Sequence, residues 1–364
     1  LFPLPIFGAF VPLKLNTPYT EEWNLDIQHQ ITPSTMIEAG YIGNRGIELN
    51  NLVNFNPARF IPGTSYNSAT GVETTNSSLE NVNSRAIFEP GIVTPNSWQI
   101  GNDWRSWYDS LQAQIIHRMN HGVSLMASYT LSKALDMCSD ICEGCGNAAN
   151  PFNIRGSMKG RAAWDRRNAF VASYLWSPSV HFSDHWKNEV IGGWTLTGIT
   201  TVQSGAPFTV YAPIDVGVNG TGGAEHSFLT GQRISLSNPT VNEFFNTNAF
   251  ASPLCSFVPQ PFNPQIIQQE NCTPDGIKYS LLGTYGQSGR NILSGPGFSN
   301  TDFDIIRDFP FKERYKAEFR VEFFNLFNQV NFGRPSNTVG SSSFGQLLSA
   351  SPGRIIQVAL KFFW

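Results

Sequence analysis

Five cysteines are the residues best equipped for chemistry. Cys138, Cys142 and Cys145 form a CxxxCxxC cluster, and Cys255 and Cys272 stand apart from it. Closely spaced thiolates can hold zinc or an iron–sulfur cluster, but those sites need a fourth ligand at a defined spacing. Thiols confined to polar, loop-like stretches fit an oxidising compartment better. They predict a disulfide and a spare thiol within the cluster, and a Cys255–Cys272 bridge stapling the longest loop.

The charged candidates are Lys316, Glu318, Arg320 and Glu322, spaced two apart in YKAEFRVEF. Such a row can line a polar lumen and hold a plug or a substrate. Its plainer reading is a self-neutralising ladder with cross-strand ion pairs. Asp165-Arg166-Arg167 could meet an anionic ligand, but a structural ion pair at a loop base is the simpler role. His117, His121, His181 and His185 have no ligand spacing on a shared face. Ser204-Gly205-Ala206-Pro207 is a turn rather than a nucleophile elbow, since GxSxG is absent. No Gly-rich phosphate loop precedes a helix. The chain therefore reads as a non-enzyme with no cofactor.

The elements that carry these residues are strands. In Tyr315–Phe323 the residues Tyr315, Ala317, Phe319, Val321 and Phe323 alternate with the charged four. Period-2 alternation writes one apolar and one polar face on a strand, whereas a helix would smear both sets around its circumference. Similar alternation covers Glu22–Ile31, Thr35–Gly43, Trp107–Met119, Val123–Ser132, Ala169–Trp176, Trp194–Gln203, Thr301–Phe309 and Arg354–Trp364. Each of these nine strands is near the length that crosses a bilayer with tilt. Their connections alternate. Short ones begin at Thr32, Asn120, Ser177 and Pro310, and long ones at Arg45, Lys133, Ser204 and Leu326. Short extended pieces are expected at Pro207–Tyr211 and Phe344–Ser349. Outer-membrane barrels gather their long loops at one end in this way, and a soluble sandwich has no reason to. Trp23, Tyr41, Trp107, Tyr129, Trp176, Trp194, Tyr315 and Trp364 cluster near strand ends, as interfacial girdles do.

Composition agrees. The chain has 364 residues, 14% of them charged, with a net charge of −3 that argues against nucleic acid as a partner. The mean hydropathy of −0.19 is compatible with a membrane barrel, because barrel strands interleave polar residues. No apolar run is long enough for a transmembrane helix. Leu1–Leu13 is apolar but has three prolines and no basic flank, so it does not read as a signal peptide. With no opening Met, the expectation is a piece of a longer protein.

Ser106–Asp136 (SWYDSLQAQIIHRMNHGVSLMASYTLSKALD), Asp165–Pro178 (DRRNAFVASYLWSP), Gly192–Phe208 (GGWTLTGITTVQSGAPF) and Asn300–Trp364 carry a resemblance. They are similar to the barrel part of TonB-dependent outer-membrane receptors, particularly the Oar-like group with a carboxypeptidase-regulatory-like N-terminal domain. The resemblance is specific from about residue 100 onward and looser over 19–50. Asn168 departs from the His expected after Asp165-Arg166-Arg167, and the chain ends in Trp rather than Phe.

That resemblance implies that residues 1–364 are the C-terminal part of a 22-stranded, TonB-energised uptake receptor. The plug, the TonB-contacting segment and the first strands would lie elsewhere. The expected fold is all-β: a partial transmembrane antiparallel meander barrel of about nine to ten strands with long external loops, in the outer membrane of a Gram-negative-type bacterium. Alone, nine strands leave two unpaired edges, so an open, curved sheet is expected. Ligand binding is expected on loops 45–105 and 204–298; a metal–siderophore, an oligosaccharide and a peptide are all compatible with them. Partners are the lipid bilayer, the TonB complex through the missing part, and the barrel-assembly machinery. The last would read Ile356, Val358, Leu360, Phe362 and Trp364 as an assembly signal on an edge strand. The rival readings are a passive or adhesive surface barrel without energised import, and a secreted carbohydrate-binding β-sandwich that would be soluble without detergent.

Overall fold

The computed structural model describes residues 4–67, 72–78, 80–139, 150–178, 192–212, 215, 217–220, 225–251, 259–260, 263–267, 283–311 and 315–364. Cys142, Cys145, Cys255, Cys272, His181 and His185 lie outside the described residues, as does the proposed Cys255–Cys272 bridge. Cys138 is disulfide-bonded.

Nine long strands, among the described residues, form one sheet. They are β1 (Tyr19–Thr32), β2 (Thr35–Asn54), β3 (Trp98–Asn120), β4 (Val123–Asp136), β5 (Asn168–Trp176), β6 (Trp194–Gln203), β7 (Phe298–Phe311), β8 (Tyr315–Phe324) and β9 (Ile355–Phe363). Each pairs antiparallel with its sequence neighbour, and β1 and β9 are the two edges, so the meander is open. The tight turns have local causes. His121 (φ 48°) and Gly122 (φ 78°) supply the two positive φ angles of a two-residue hairpin whose backbone twist matches that of the strands. A Cβ on Gly122 would also collide with the Ser177 carbonyl.

Register turns the alternation of single strands into two continuous faces. Val123, Trp176, Leu196, Ile305, Val321 and Val358 pair in one row across six strands. A second row runs Ile27, Ala39, Ala113, Tyr129, Phe170 and Val202. Most large side chains of these rows stay exposed, Ile27 at 66% and Val358 at 64%, and Leu196, Ile305 and Val321 are half-buried. No second layer covers them among the described residues, which rules out a sandwich. Burying an exposed Ile or Val side chain stabilises by roughly 1.5–3 kcal/mol, so a face of this extent is stable only against an apolar phase.

The apolar band has visible limits. Toward the long loops, Glu21, Arg45, Asp109 and Lys133 take over the same face. Just inside this limit, Tyr41 donates from its hydroxyl to Asp109 Oδ1 at 2.6 Å, and Tyr129 donates to Asn168 Oδ1 at 2.6 Å. Rings in the band with hydroxyls turned to the polar rim are the amphipathic arrangement an interface favours. The Trp23 ring covers Gly43, whose missing Cβ leaves the space. At the short-turn end the guanidinium of Arg307 lies over the rings of Trp194 (5.3 Å) and Phe309 (4.7 Å).

Several expected boundaries move. The stretch 45–105 is not loop throughout, because β2 continues to Asn54 and β3 begins at Trp98. These extensions rise beyond the apolar band, where neither face meets a second phase, so no alternation marks them. Strand β7 runs through Pro310 to Phe311 rather than stopping at Phe309. Pro310 falls at the strand's end, where a missing N–H costs little. Phe344–Ser349 is a turn followed by irregular chain, not an extended piece. Pro207–Phe208 does pair above the sheet, with Leu293–Ser294.

Candidate functional site at the long-loop rim

The strand ends joined by 33–34, 121–122, 177–193 and 312–314 lie at one end of the sheet. Those joined by 55–97, 137–167, 204–297 and 325–354 lie at the other. The segment before β1 joins the long-loop end: Trp98 N donates to Gly8 O at 2.8 Å, and Thr94 N donates to Ile6 O at 2.9 Å.

There the loops pack into a cap with its own core. Phe208, Val210, Phe245, Ala249, Phe250, Leu293 and Val339 are buried together. Phe245 meets the rings of Phe208, Phe250 and Phe344 at 5.8, 5.6 and 5.3 Å. The cap is tied to the sheet by Arg290, which pairs with the Asp136 carboxylate at the end of β4, both side chains being nearly buried. Arg290 also donates to Met158 O at 2.7 Å, Asp136 O at 2.8 Å and Ser139 Oγ at 3.3 Å. Beside it, Arg161 Nε donates to Asp165 Oδ2 at 3.0 Å, and Asp165 Oδ1 accepts from Ala134 N at 2.9 Å. Asp165 thus fixes a loop base through Arg161, while Arg166 bonds the carbonyls of Ala163 and Asp165.

A second polar knot lies deeper in the cap. Glu225 accepts from Gly217 N and Asn219 Nδ2, and Asp215 accepts from the backbone of Asn219 and Gly220. Arg85 Nη2 donates to Val218 O at 3.0 Å and is held below the ordinary guanidinium range by burial. Burial pushes the Tyr285 hydroxyl up to about 12. His226, its ring tilted 49° against that of Tyr211 at 6.5 Å, is pushed down to about 4, first by burial and then by the charge of Arg290. No group of three or more His, Cys, Asp or Glu that could hold a metal occurs among the described residues.

The polar face of the sheet leads up to this rim. Lys316, Glu318, Arg320 and Glu322 share it, as the alternation requires. Lys316 Nζ lies 2.7 Å from Asp308 Oδ2, and Arg320 donates to Glu318 Oε1 (3.1 Å) and Glu322 Oε1 (3.3 Å). Lys361 on β9 reaches Glu318 at 3.9 Å. The four residues therefore form a cross-strand ion-pair network. On the far strands the same face carries Glu22, Asp26 and Glu38, and on β7 Asp302 and Asp304. Carboxylates thus outnumber the cations Lys316, Arg320 and Lys361 on the strand surface between the ends.

Where this face meets the rim, a cavity of about 760 Å³ opens, lined by Glu22, Trp23, Asn24, Ile42, Gly43, Asn44, Tyr108 and Trp164. Glu22, Asn44 and Tyr108 are direct cross-strand neighbours in one row. Asn44 Nδ2 donates to Glu22 Oε1 at 2.8 Å. Trp164 comes down from the 137–167 loop, and its ring stands 6.2 Å from that of Tyr108 at 41°. The loops 45–105 and 204–298 contribute to the cap together with the 325–354 connection, but this cavity draws on β1, β2, β3 and the loop before β5. The sequence signal for it was thin: one tryptophan next to Asp165-Arg166-Arg167, and polar-face residues that converge only once the register is known.

The family model described as "Outer membrane beta barrel domain" matches residues 1–357. No curated protein matches the chain. Among solved structures, the outer membrane transporter YddB from Escherichia coli is similar with a TM-score of 0.47 and 10% identity, over 98% of this chain and 34% of its own. BauA, the ferric preacinetobactin receptor from Acinetobacter baumannii, gives 0.41 and 10%, over 94% of this chain and 29% of its own. The ferripyoverdine receptor of the outer membrane of Pseudomonas aeruginosa gives 0.42 and 9%, over 96% of this chain and 27% of its own. The chain thus spans about a third, or less, of the length of these proteins.

Proposed function

This chain belongs to the outer membrane beta barrel domain family, and from that premise we propose that it is part of a ligand-gated, TonB-energised uptake receptor. Its place is the outer membrane, with the apolar band of the sheet against lipid. The observation that carries the uptake reading is the asymmetry of the two ends. The shorter connections share one end, while at the other the long connections pack into a cap with its own core, and a cavity lined by β1, β2, β3 and Trp164 opens at that rim. A barrel needs only turns to be stable, and a packed cap at one end is what capture and admission of a ligand require.

The similarity of residues 100–364 to TonB-dependent receptors supports placing the chain in the C-terminal part of such a protein, in the Oar-like group. The open edges of β1 and β9 are where further strands would pair to close the barrel, since lipid tolerates no unpaired edge. Strand β9 presents Ile356, Val358, Leu360 and Phe362 on one face, with Trp364 just beyond it. That exposed alternating edge suits recognition by the barrel-assembly machinery through β-augmentation. The polar ladder faces the lumen, where a plug would contact it.

The test is accumulation of ligand in cells producing the full-length protein, with TonB present and absent. Energised uptake predicts accumulation only with TonB. Equal accumulation in both, or surface binding with no entry, would replace this reading with that of a passive or adhesive barrel.

A further inference from the structure

The cavity at the rim has a composition that selects among ligands. Its polar groups are one carboxylate, Glu22, the side-chain amides of Asn24 and Asn44, the Tyr108 hydroxyl and the indole N–H groups of Trp23 and Trp164, and no Lys or Arg occurs among its described lining residues. Below it, the strand surface carries more carboxylates than cations. An anionic ligand would meet carboxylates with no guanidinium among the described lining residues to pair with, an unfavourable arrangement. Neutral, hydroxyl-rich ligands meet no such barrier. Each amide offers both a donor and an acceptor, and a carboxylate offers acceptors, so together they match vicinal hydroxyls.

The aromatic residues point the same way. Trp164 is 54% exposed although it stands over the cavity. Its ring and that of Tyr108 make a wedge with an open tilt of 41°. Exposed rings cost solvation unless a ligand covers them, and the C–H face of a sugar ring is a flat apolar surface of the right size. A volume of about 760 Å³ exceeds what a small ammonium ion would fill and suits two or three sugar rings.

We propose that the cavity bounded by Glu22, Asn24, Asn44, Tyr108 and Trp164 binds a neutral oligosaccharide, stacked on Trp164 and Tyr108 and hydrogen-bonded by the other three. This rests on the reading of the protein as an uptake receptor and names its ligand class.

The experiment uses full-length protein in detergent, titrated by calorimetry with neutral trisaccharides (maltotriose, cellotriose, chitotriose), with anionic trigalacturonate, and with the cation spermidine. At least one neutral trisaccharide should bind and trigalacturonate should not. Trp164→Ala should weaken binding at least tenfold and Trp164→Phe less. Because Trp164 is exposed, neither change should alter heat-modifiable mobility. Glu22→Gln separates a sugar from a cation: it keeps hydrogen-bonding capacity, so sugar affinity should stay within about fivefold, while cation binding would be lost. No binding of any neutral saccharide, preferential binding of spermidine, or sugar binding untouched by Trp164→Ala would each overturn the proposal. Labelled sugar uptake with and without TonB separates this from the uptake reading. Sugar bound through Trp164 but not taken up leaves the site standing and removes the uptake reading.

Discussion

Arg290 ties the outer cap to the end of a membrane strand, and its removal should free the cap without harming the sheet. In Arg290→Met the methylene stem is largely kept. The Asp136 carboxylate loses its ion-pair partner, and the carbonyls of Met158 and Asp136 lose their donors at 2.7 and 2.8 Å. Both partners are nearly buried, so solvent screens the pair little. Breaking a buried pair from one side costs about 3–5 kcal/mol, chiefly because the remaining charge is orphaned. The cost falls on local opening of 150–167 and 284–297, since the pairing of the nine strands does not run through this contact. At 1.36 kcal/mol per decade, the open population of the cap should rise by roughly two to four powers of ten. Full-length protein in outer-membrane vesicles, treated with protease under conditions where reclosing outpaces cleavage, reports that population directly. Cleavage in the cap should accelerate at least a hundredfold while the heat-modifiable barrel band persists. A double variant, Arg290→Met with Asp136→Leu, should recover much of the loss, because it removes the orphan. Cleavage within threefold of the wild type, or a barrel that melts together with the cap, would refute the reasoning.

His226 titrates at about 4 in the folded cap, below the ordinary value near 6.5, so the unfolded cap binds the extra proton in between. Stability is therefore complete above about pH 6.5 and falls as pH drops toward 4, by up to ~3 kcal/mol. Hydrogen exchange of the cap amides between pH 7.5 and 4.5 should show this loss, and His226→Phe should flatten it. On the sheet, Ile115 and Gln114 are neighbours on opposite faces near the middle of the band. Ile115→Arg should cost about 2–4 kcal/mol of folding free energy in lipid vesicles and Gln114→Arg less than about 1, because only the first puts a charge into hydrocarbon. Equal costs in a urea titration would mean that the faces are misassigned.

The strands were legible because two phases impose them. Each strand between Glu22 and Trp364 has one side against an apolar phase and one against a polar one, and that contrast writes period 2 directly into residue type. Where the contrast ends, so does the signal. Asn44–Asn54 and Trp98–Arg105 are strands, but they rise above the band with both faces in polar or loop-covered surroundings, and their sequence looks like loop. The cap core was hidden for a different reason. Phe208, Phe245, Phe250 and Val339 are spaced irregularly along irregular chain, so no periodic rule collects them. Arg290 and Asp136 are 154 residues apart, and nothing local in either stretch pairs them. The mouth cavity was partly legible. Glu22, Asn44 and Tyr108 each fall on the polar side of their own strand, and the two hairpin registers place them in one row. Trp164 joins them only through the fold of the loop.

The central claim is that the apolar band spans the outer membrane with every long connection on the cell's exterior. Short epitope insertions after Ser237, in the cap, and after Pro33, in the first turn, test it most directly when antibody is applied to intact cells. Staining of the Ser237 insertion is expected on intact cells, and of the Pro33 insertion only after the outer membrane is permeabilised. Staining of both on intact cells, or of the Pro33 insertion alone, would contradict the claim.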